Sequence, residues 1–127
     1  MTSDLSAIKV YGERRGYLRE LAAYQRIEDR QLEELRGFKI PRIQGWSNEL
    51  MVLEMSIVHV PCLLDFGGAY LDFLPEHALR DDEWHQEKAE EFGDNWEEAK
   101  LVITELEIRG EIFLSDVNTG NIKFPAK

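Results

Sequence analysis

A single cysteine, Cys62, is the whole thiol content of this chain. One thiol excludes an internal disulfide framework and any cysteine-rich zinc site, and it fits a reducing compartment. Flanked by Pro61 and Leu63, Cys62 reads as a small buried hydrophobe. Positive charge is also short, with 15 Lys and Arg against 25 Asp and Glu and a formal net charge of -10. Neutralising phosphates takes clustered Lys and Arg, so nucleic acid is disfavoured as a partner, and so is an anionic membrane surface. No apolar run approaches the ~20 residues that span a bilayer, and Met1-Thr2-Ser3-Asp4 lacks a charged-then-apolar signal. A soluble, cytoplasmic protein is expected. Internal repeats and low-complexity linkers are missing too, and the length predicts one domain over residues 1–127.

The residues that are there alternate between strand and helix signals. Ser6 to Tyr11 is β-branched and aromatic with a lone Lys9, which predicts a short strand that Gly12 ends. From Glu13 to about Ile27 the apolar spacing becomes helical, with Tyr17, Leu21 and Tyr24 on one stripe. Glu28 to Arg36 extends this helix or forms a second short one, and Gly37 supplies a stop. Lys39 to Trp46 alternates as a strand entered at Pro41 and broken by Gly45. After a turn at Ser47-Asn48-Glu49, Leu50 to Met55 reads as a central strand buried on both faces, completing an antiparallel hairpin. Ile57 to Leu64 is an extended connector cut by Pro61.

Beyond Asp65-Phe66-Gly67-Gly68 the chain turns acidic and helical. Pro75 to Phe92 predicts a surface helix anchored by Leu79, Trp84 and Phe92. The next helix runs to about Arg109, with Asp94 as N-cap, Glu97 as its capping-box partner, and Trp96, Ala99, Val102, Ile103 and Leu106 as its buried stripe. Glu111 to Leu114 and Ile122 to Phe124 then flank the Asp116-to-Asn121 loop as a closing hairpin. The expected core is Trp46, Met51, Leu53, Trp96, Val102, Ile103 and Leu106.

That closing stretch, Leu114-Ser115-Asp116-Val117-Asn118-Thr119-Gly120-Asn121-Ile122, sets an acid and an amide five positions apart between apolar runs. The spacing resembles that of a protein-kinase catalytic loop, in which the Asp accepts the substrate hydroxyl proton and the Asn holds a metal ion. Asp and Asn are also ordinary turn residues, and Thr-Gly-Asn is an ordinary turn signal. Histidine chemistry is a weaker prospect. His77 and His85 stand eight apart on one helix and cannot share a metal without a loop ligand, and His59 has no partner at ligand spacing. The acids from Asp81 to Glu98 lack the oxygen spacing of a calcium loop.

The order of strand, helix, two strands, helices and Asp-to-Asn loop resembles the protein-kinase-like fold. Ala7-Ile8-Lys9 stands where that family has its strand lysine, Glu20 matches the helix glutamate that pairs with it, and Leu53-Glu54-Met55-Ser56 resembles the strand end where adenine docks. The resemblance implies an α+β kinase-like fragment: a small antiparallel sheet with a packed helix, two further helices and a catalytic-loop-like hairpin. It implies ATP and Mg2+ as cofactors, with Lys9, Glu20, Glu54 and Met55 on the nucleotide, Asp116 as the catalytic acid and Asn121 on the metal. The departures are as definite. Too few residues precede Lys9 for the Gly-rich lid, and the chain ends soon after Asn121, without an in-order Asp-Phe-Gly motif or a substrate lobe. Asp65-Phe66-Gly67 spells the motif but precedes Asp116, and it is read as a turn that chain order keeps from Asn121. Ser115 and Asn118 replace basic residues common in the family's loop. The expectation is a truncated, pseudokinase-like regulatory or interaction module with a protein partner or self-association. The alternative is a minimal ATP- and Mg2+-dependent phosphotransferase using Lys9, Glu20, Asp116 and Asn121.

Overall fold

The computed structural model describes residues 6–78 and 80–126; Leu79, the His77 side chain and the Met1-to-Asp4 start lie outside the described residues. The element order is β1 (Ser6–Val10), α1 (Arg14–Asp29), β2 (Glu34–Leu35), β3 (Phe38–Lys39), β4 (Ile43–Ser47), β5 (Val52–Ser56), β6 (Cys62–Leu63), β7 (Ala69–Leu71), α2 (Asp82–Phe92), α3 (Trp96–Gly110), β8 (Ile112–Leu114) and β9 (Ile122–Lys123). It is a mixed α+β arrangement in which small, mainly antiparallel sheets surround α1 and α3. Among the described residues, no helix is long and apolar enough to cross a membrane.

The first sheet has the order β1-β5-β4, antiparallel throughout, so the expected hairpin of β4 and β5 is present. Its register sets Lys9 opposite Leu53 and Ala7 opposite Met55, while Ile8 faces Glu54 and Val10 faces Val52. Leu53 and Met55 are buried, but Leu50, Ile8 and Val10 are exposed. The run Leu50 to Met55 is therefore not buried on both faces. It is a one-sided strand, because α1 covers only the face that Leu53 and Met55 present. The expected Lys39-to-Trp46 strand also divides: Lys39 ends β3, and β4 begins at Ile43 and passes through Gly45. A register shift between Ile43 and Gly45 accommodates the extra residue, which a residue without Cβ tolerates well. Trp46, expected in the core, is 51% exposed, and Met51 is only partly buried.

Tyr17, Leu21, Tyr24 and Ile27 are buried along α1, as their spacing predicts. The helix stops at Asp29, so Glu28 to Arg36 neither extends it far nor forms a second helix. Instead β2 and β3 make a hairpin whose two loop residues, Arg36 and Gly37, have φ of 50° and 87°. Gly37 thus serves a two-residue turn with positive φ at both positions, a geometry that favours glycine. The hairpin turns Leu35 and Phe38 into the core.

The expected helix from Pro75 shortens to α2, with a 3-10 turn at Glu76–Ala78 before it. Asp81 caps α2, its carboxylate accepting from Trp84 N at 2.8 Å. The expected N-cap of α3 moves by one residue, from Asp94 to Asn95. A 3-10 turn spans Gly93–Asn95, the helix starts at Trp96, and Asn95 occupies the N-cap without a side-chain bond. The buried stripe of α3 is as predicted, and Gly110 closes it for packing reasons: a Cβ there would lie 3.1 Å from Leu32 Cδ1 and 3.2 Å from Ile112 Cδ1. Arg26 and Arg30 reach across from α1 to the Gly110 and Arg109 carbonyls at 3.1 and 3.0 Å, putting positive charge on the C-terminal end of α3.

The closing hairpin is the largest correction. β8 and β9 do not pair with each other. β8 pairs antiparallel with β7, while β9 pairs antiparallel with β6 in a four-stranded sheet of order β2-β3-β6-β9. The loop between them consequently joins two sheets, and the segment joining β6 to β7 lies alongside it.

Candidate functional site

Glu20 is the one fully buried carboxylate among the described residues. Such a charge needs partners for each oxygen, or burial is strongly unfavourable. Oε1 accepts from Lys9 Nζ at 2.8 Å and from the Tyr11 hydroxyl, and Oε2 accepts from the Phe66 backbone N–H at 3.1 Å. Three segments thus converge on one carboxylate. The α1 stripe that buries Tyr17, Leu21 and Tyr24 turns Glu20 toward the sheet, and β1 directs Lys9 to the same side.

Lys9 also reaches Asp65 Oδ1 at 3.3 Å. Asp65 Oδ1 accepts in turn from Gly67 N–H at 2.7 Å, which holds the Asp65-Phe66-Gly67 turn in shape. Burial alone would lower the Lys9 ammonium, but its bond to Glu20 and the charges of Glu20 and Asp65 outweigh that and raise it above the ordinary lysine value. Burial alone would raise the Asp65 carboxyl, and the bond from Gly67 with the nearby Lys9 charge brings it below the ordinary aspartate value.

The expectation that chain order keeps Asp65 away from the loop is wrong. Leu64 N–H donates to the Asn121 carbonyl at 2.9 Å, and Ser115 N–H donates to the Gly68 carbonyl at 3.0 Å. Antiparallel pairing of β6 with β9 and of β7 with β8 brings the earlier segment against the later one from both ends. At Gly68 the approach is close enough that a Cβ would lie 2.8 Å from Asp116 Cβ and 2.9 Å from Ser115 Oγ.

Within the loop, Asn121 Nδ2 donates to the Asp116 carbonyl at 2.9 Å, so the acid and amide singled out by spacing are joined. Asn118 does more than the sequence suggested. Its Oδ1 accepts from Gly120 and Asn121 N–H at 2.8 and 3.0 Å, and its Nδ2 donates to Asp116 Oδ1 at 3.0 Å. From α2, Glu91 accepts from Thr119 N–H at 2.9 Å. The Asp116 carboxylate remains exposed at the surface.

Glu54 and Met55 divide. Met55 is buried on the inner face and accepts from the Tyr24 hydroxyl at 3.3 Å through its sulfur. Glu54 stands on the outer face, bonded to the Ser6 hydroxyl at 2.7 Å, so its side chain is turned away from Lys9. Among the described residues, no group of three or more His, Cys, Asp and Glu side chains could hold a metal ion, and His59 and His85 join no such group. A cavity of about 600 Å³ lies elsewhere, under the end of α1 among Ile27, Leu32, Ile40, Glu28 and Arg42. The convergence of charged groups, rather than cavity size, identifies the site. Sequence reasoning missed Asp65, Tyr11 and Gly68. The Gly67-Gly68 pair beside an acid was the available signal for two of them, and the position of Tyr11 two residues after Lys9, on the same strand face, was the signal for the third. No family model matches the chain, and neither a curated protein nor a solved structure matches it significantly.

Proposed function

We propose that this protein is a kinase-like domain that binds a nucleoside triphosphate with magnesium beside Lys9 and transfers its terminal phosphoryl group. The observation that carries the reading is the position of Lys9, held by a buried glutamate and touching an aspartate whose segment is seated against the Asp116-to-Asn121 loop. A cation fixed in this way positions phosphate oxygens without reorganising when charge develops on them. Lys9 is suited to the task because its side chain remains 40% exposed while its Glu20 partner is 1% exposed.

The donor set fits magnesium only in company with phosphates. Asp65 and Asn121 offer one carboxylate and, with the Asn121 amide nitrogen occupied by the Asp116 carbonyl, one amide oxygen. Magnesium is commonly held by one or two carboxylates plus substrate phosphates rather than by an all-protein cage. When bound, the ion neutralises charge on the transferring group. Asp116 would accept the proton of an incoming hydroxyl, and Asn118 orients that carboxylate through its bond to Oδ1.

A thermal shift tests the reading. Magnesium–ATP at about a hundred times its dissociation constant should add roughly 2.7 kcal/mol and raise the melting temperature by several degrees. Asp65→Asn and Lys9→Met should each abolish that rise. Asp116→Asn should keep the rise and lose the turnover of ATP. Absence of any shift in millimolar magnesium–ATP would defeat the proposal.

A second reading, a regulatory module that pairs with a protein or with itself, is favoured by the outer face of the first sheet. Ile8, Val10, Leu50 and Trp46 are all exposed there, beside β1, which among the described residues is an edge strand. Exposed apolar surface at an open sheet edge invites a covering strand. Self-association in sedimentation, without nucleotide binding, is the result that would favour this second reading.

A further inference from the structure

One ring hydroxyl, that of Tyr11, reaches the Glu20 carboxylate, and it has no part in the reading above. Tyr11 projects from the end of β1, two residues after Lys9, and its hydroxyl donates to the same Glu20 oxygen that accepts from Lys9. The ring is fixed from two other directions. Its backbone N–H donates to the Met51 carbonyl at 3.0 Å, and its edge packs on Tyr17 at a centroid distance of 5.7 Å. Tyr17 is fully buried and is tethered by its own hydroxyl to Asn48 Oδ1 at 2.6 Å. The Lys9 ammonium stands 5.3 Å from the Tyr11 ring centroid.

We propose that Tyr11 is a positioning residue of this site: by sharing Glu20 Oε1 it limits the pull of Glu20 on Lys9, so that the ammonium, 2.8 Å from Glu20 and 3.3 Å from Asp65, stays shared between the two carboxylates and available to a phosphate. A carboxylate oxygen that already accepts a well-aligned hydroxyl presents less unshared charge to an ammonium. The buried anion stays satisfied by the neutral donor and by Phe66 N–H, and the lysine charge remains divided between Glu20 and Asp65. The hydroxyl is a permanent donor, since burial first and the Glu20 bond second push the phenol far above its ordinary value. Phenylalanine at this position would keep the ring packing and remove only the donated proton.

The inference rests on Lys9 being the phosphate ligand, and the test separates the two. Tyr11→Phe and wild type are treated with an acetylating N-hydroxysuccinimide ester, and modification of Lys9 is followed by mass spectrometry with exposed Lys39 as the internal standard. In Tyr11→Phe, Lys9 should react about threefold more slowly, because its ammonium is drawn fully onto Glu20. The dissociation constant of magnesium–ATP should rise about fivefold with the same melting-temperature plateau in ligand-free protein after correction for stability. A Lys9 rate in folded Tyr11→Phe that equals or exceeds the wild-type rate overturns the proposal. A slowed Lys9 with no nucleotide binding by either protein supports the Tyr11 role and removes the nucleotide reading. If Tyr11→Phe does not fold, the wild-type protein decides by NMR: a slowly exchanging Tyr11 hydroxyl proton with a cross-peak to the Lys9 ammonium is expected, and its absence overturns the inference.

Discussion

Gly68 is the residue on which the approach of the two site segments depends. A methyl group there would collide with Asp116 Cβ and with the Asp116 backbone N at 3.2 Å, and backbone cannot swing aside as a side chain can. Gly68→Ala should cost roughly 1–3 kcal/mol, as overpacking does elsewhere, and should weaken nucleotide binding more than the stability loss explains. Chemical denaturation measures the first part and calorimetric titration the second. The charges at Lys9 and Asp65 set a pH window. Asp65 is lowered below its ordinary 3.8, so its contribution is complete above that value and is lost as pH falls through the lowered value. Lys9 is raised above its ordinary 10.5, so its contribution is complete below that value and is lost as pH rises through the raised one. Melting temperature should therefore fall at both extremes, and Asp65→Asn should flatten the acid limb selectively. Cys62 is buried, and burial pushes its thiol up. Iodoacetamide should modify it at neutral pH only on unfolding, a result that mass spectrometry reads directly.

At the scale of elements, α3 is where sequence and structure agree most closely. Its stripe of Trp96, Ala99, Val102, Ile103 and Leu106 is buried as its period predicts. Trp96 stacks on Phe92 at 5.5 Å and meets Trp84 edge-on at 5.8 Å, tying α2 to α3. Trp96→Ala should cost about 3–5 kcal/mol by leaving a cavity; a loss below about 1 kcal/mol, the range of surface changes, would show that the contact carries little. The misread elements have local causes. Arg36-Gly37 carries a two-residue turn that composition alone cannot distinguish from a helix stop. Asp94 and Glu97 have capping-box spacing, yet the 3-10 turn at Gly93–Asn95 moves the helix start past Asp94, leaving Glu97 in the first turn. Trp46 has the largest side chain of its strand but lies on a sheet with one covered face, and a hydrophobic residue reveals its preference for burial without revealing whether a partner surface exists.

For the molecule as a whole, the pairs formed by Lys9 with Glu20 and by Asp116 with Asn121 were legible because each partner falls within one or two neighbouring elements. The approach of Asp65 was not legible, because it depends on which strands pair. Two-residue strands such as β6 and β9 carry almost no periodicity, and their partners are fixed only when the whole core forms. That core runs without interruption from Tyr17 through Phe66 and Val102 to Ile122. A single cooperative transition is expected, with tryptophan fluorescence and far-ultraviolet circular dichroism melting together. The straddled loop then acts as a latch with two bolts. The Leu64-to-Asn121 and Ser115-to-Gly68 bonds lie on opposite sides of it, so an excursion that frees Asp116 from Gly68 has to release both amides together. Hydrogen exchange at Leu64 and Ser115 should accordingly share one opening free energy, and bound magnesium–ATP should slow both by a common factor.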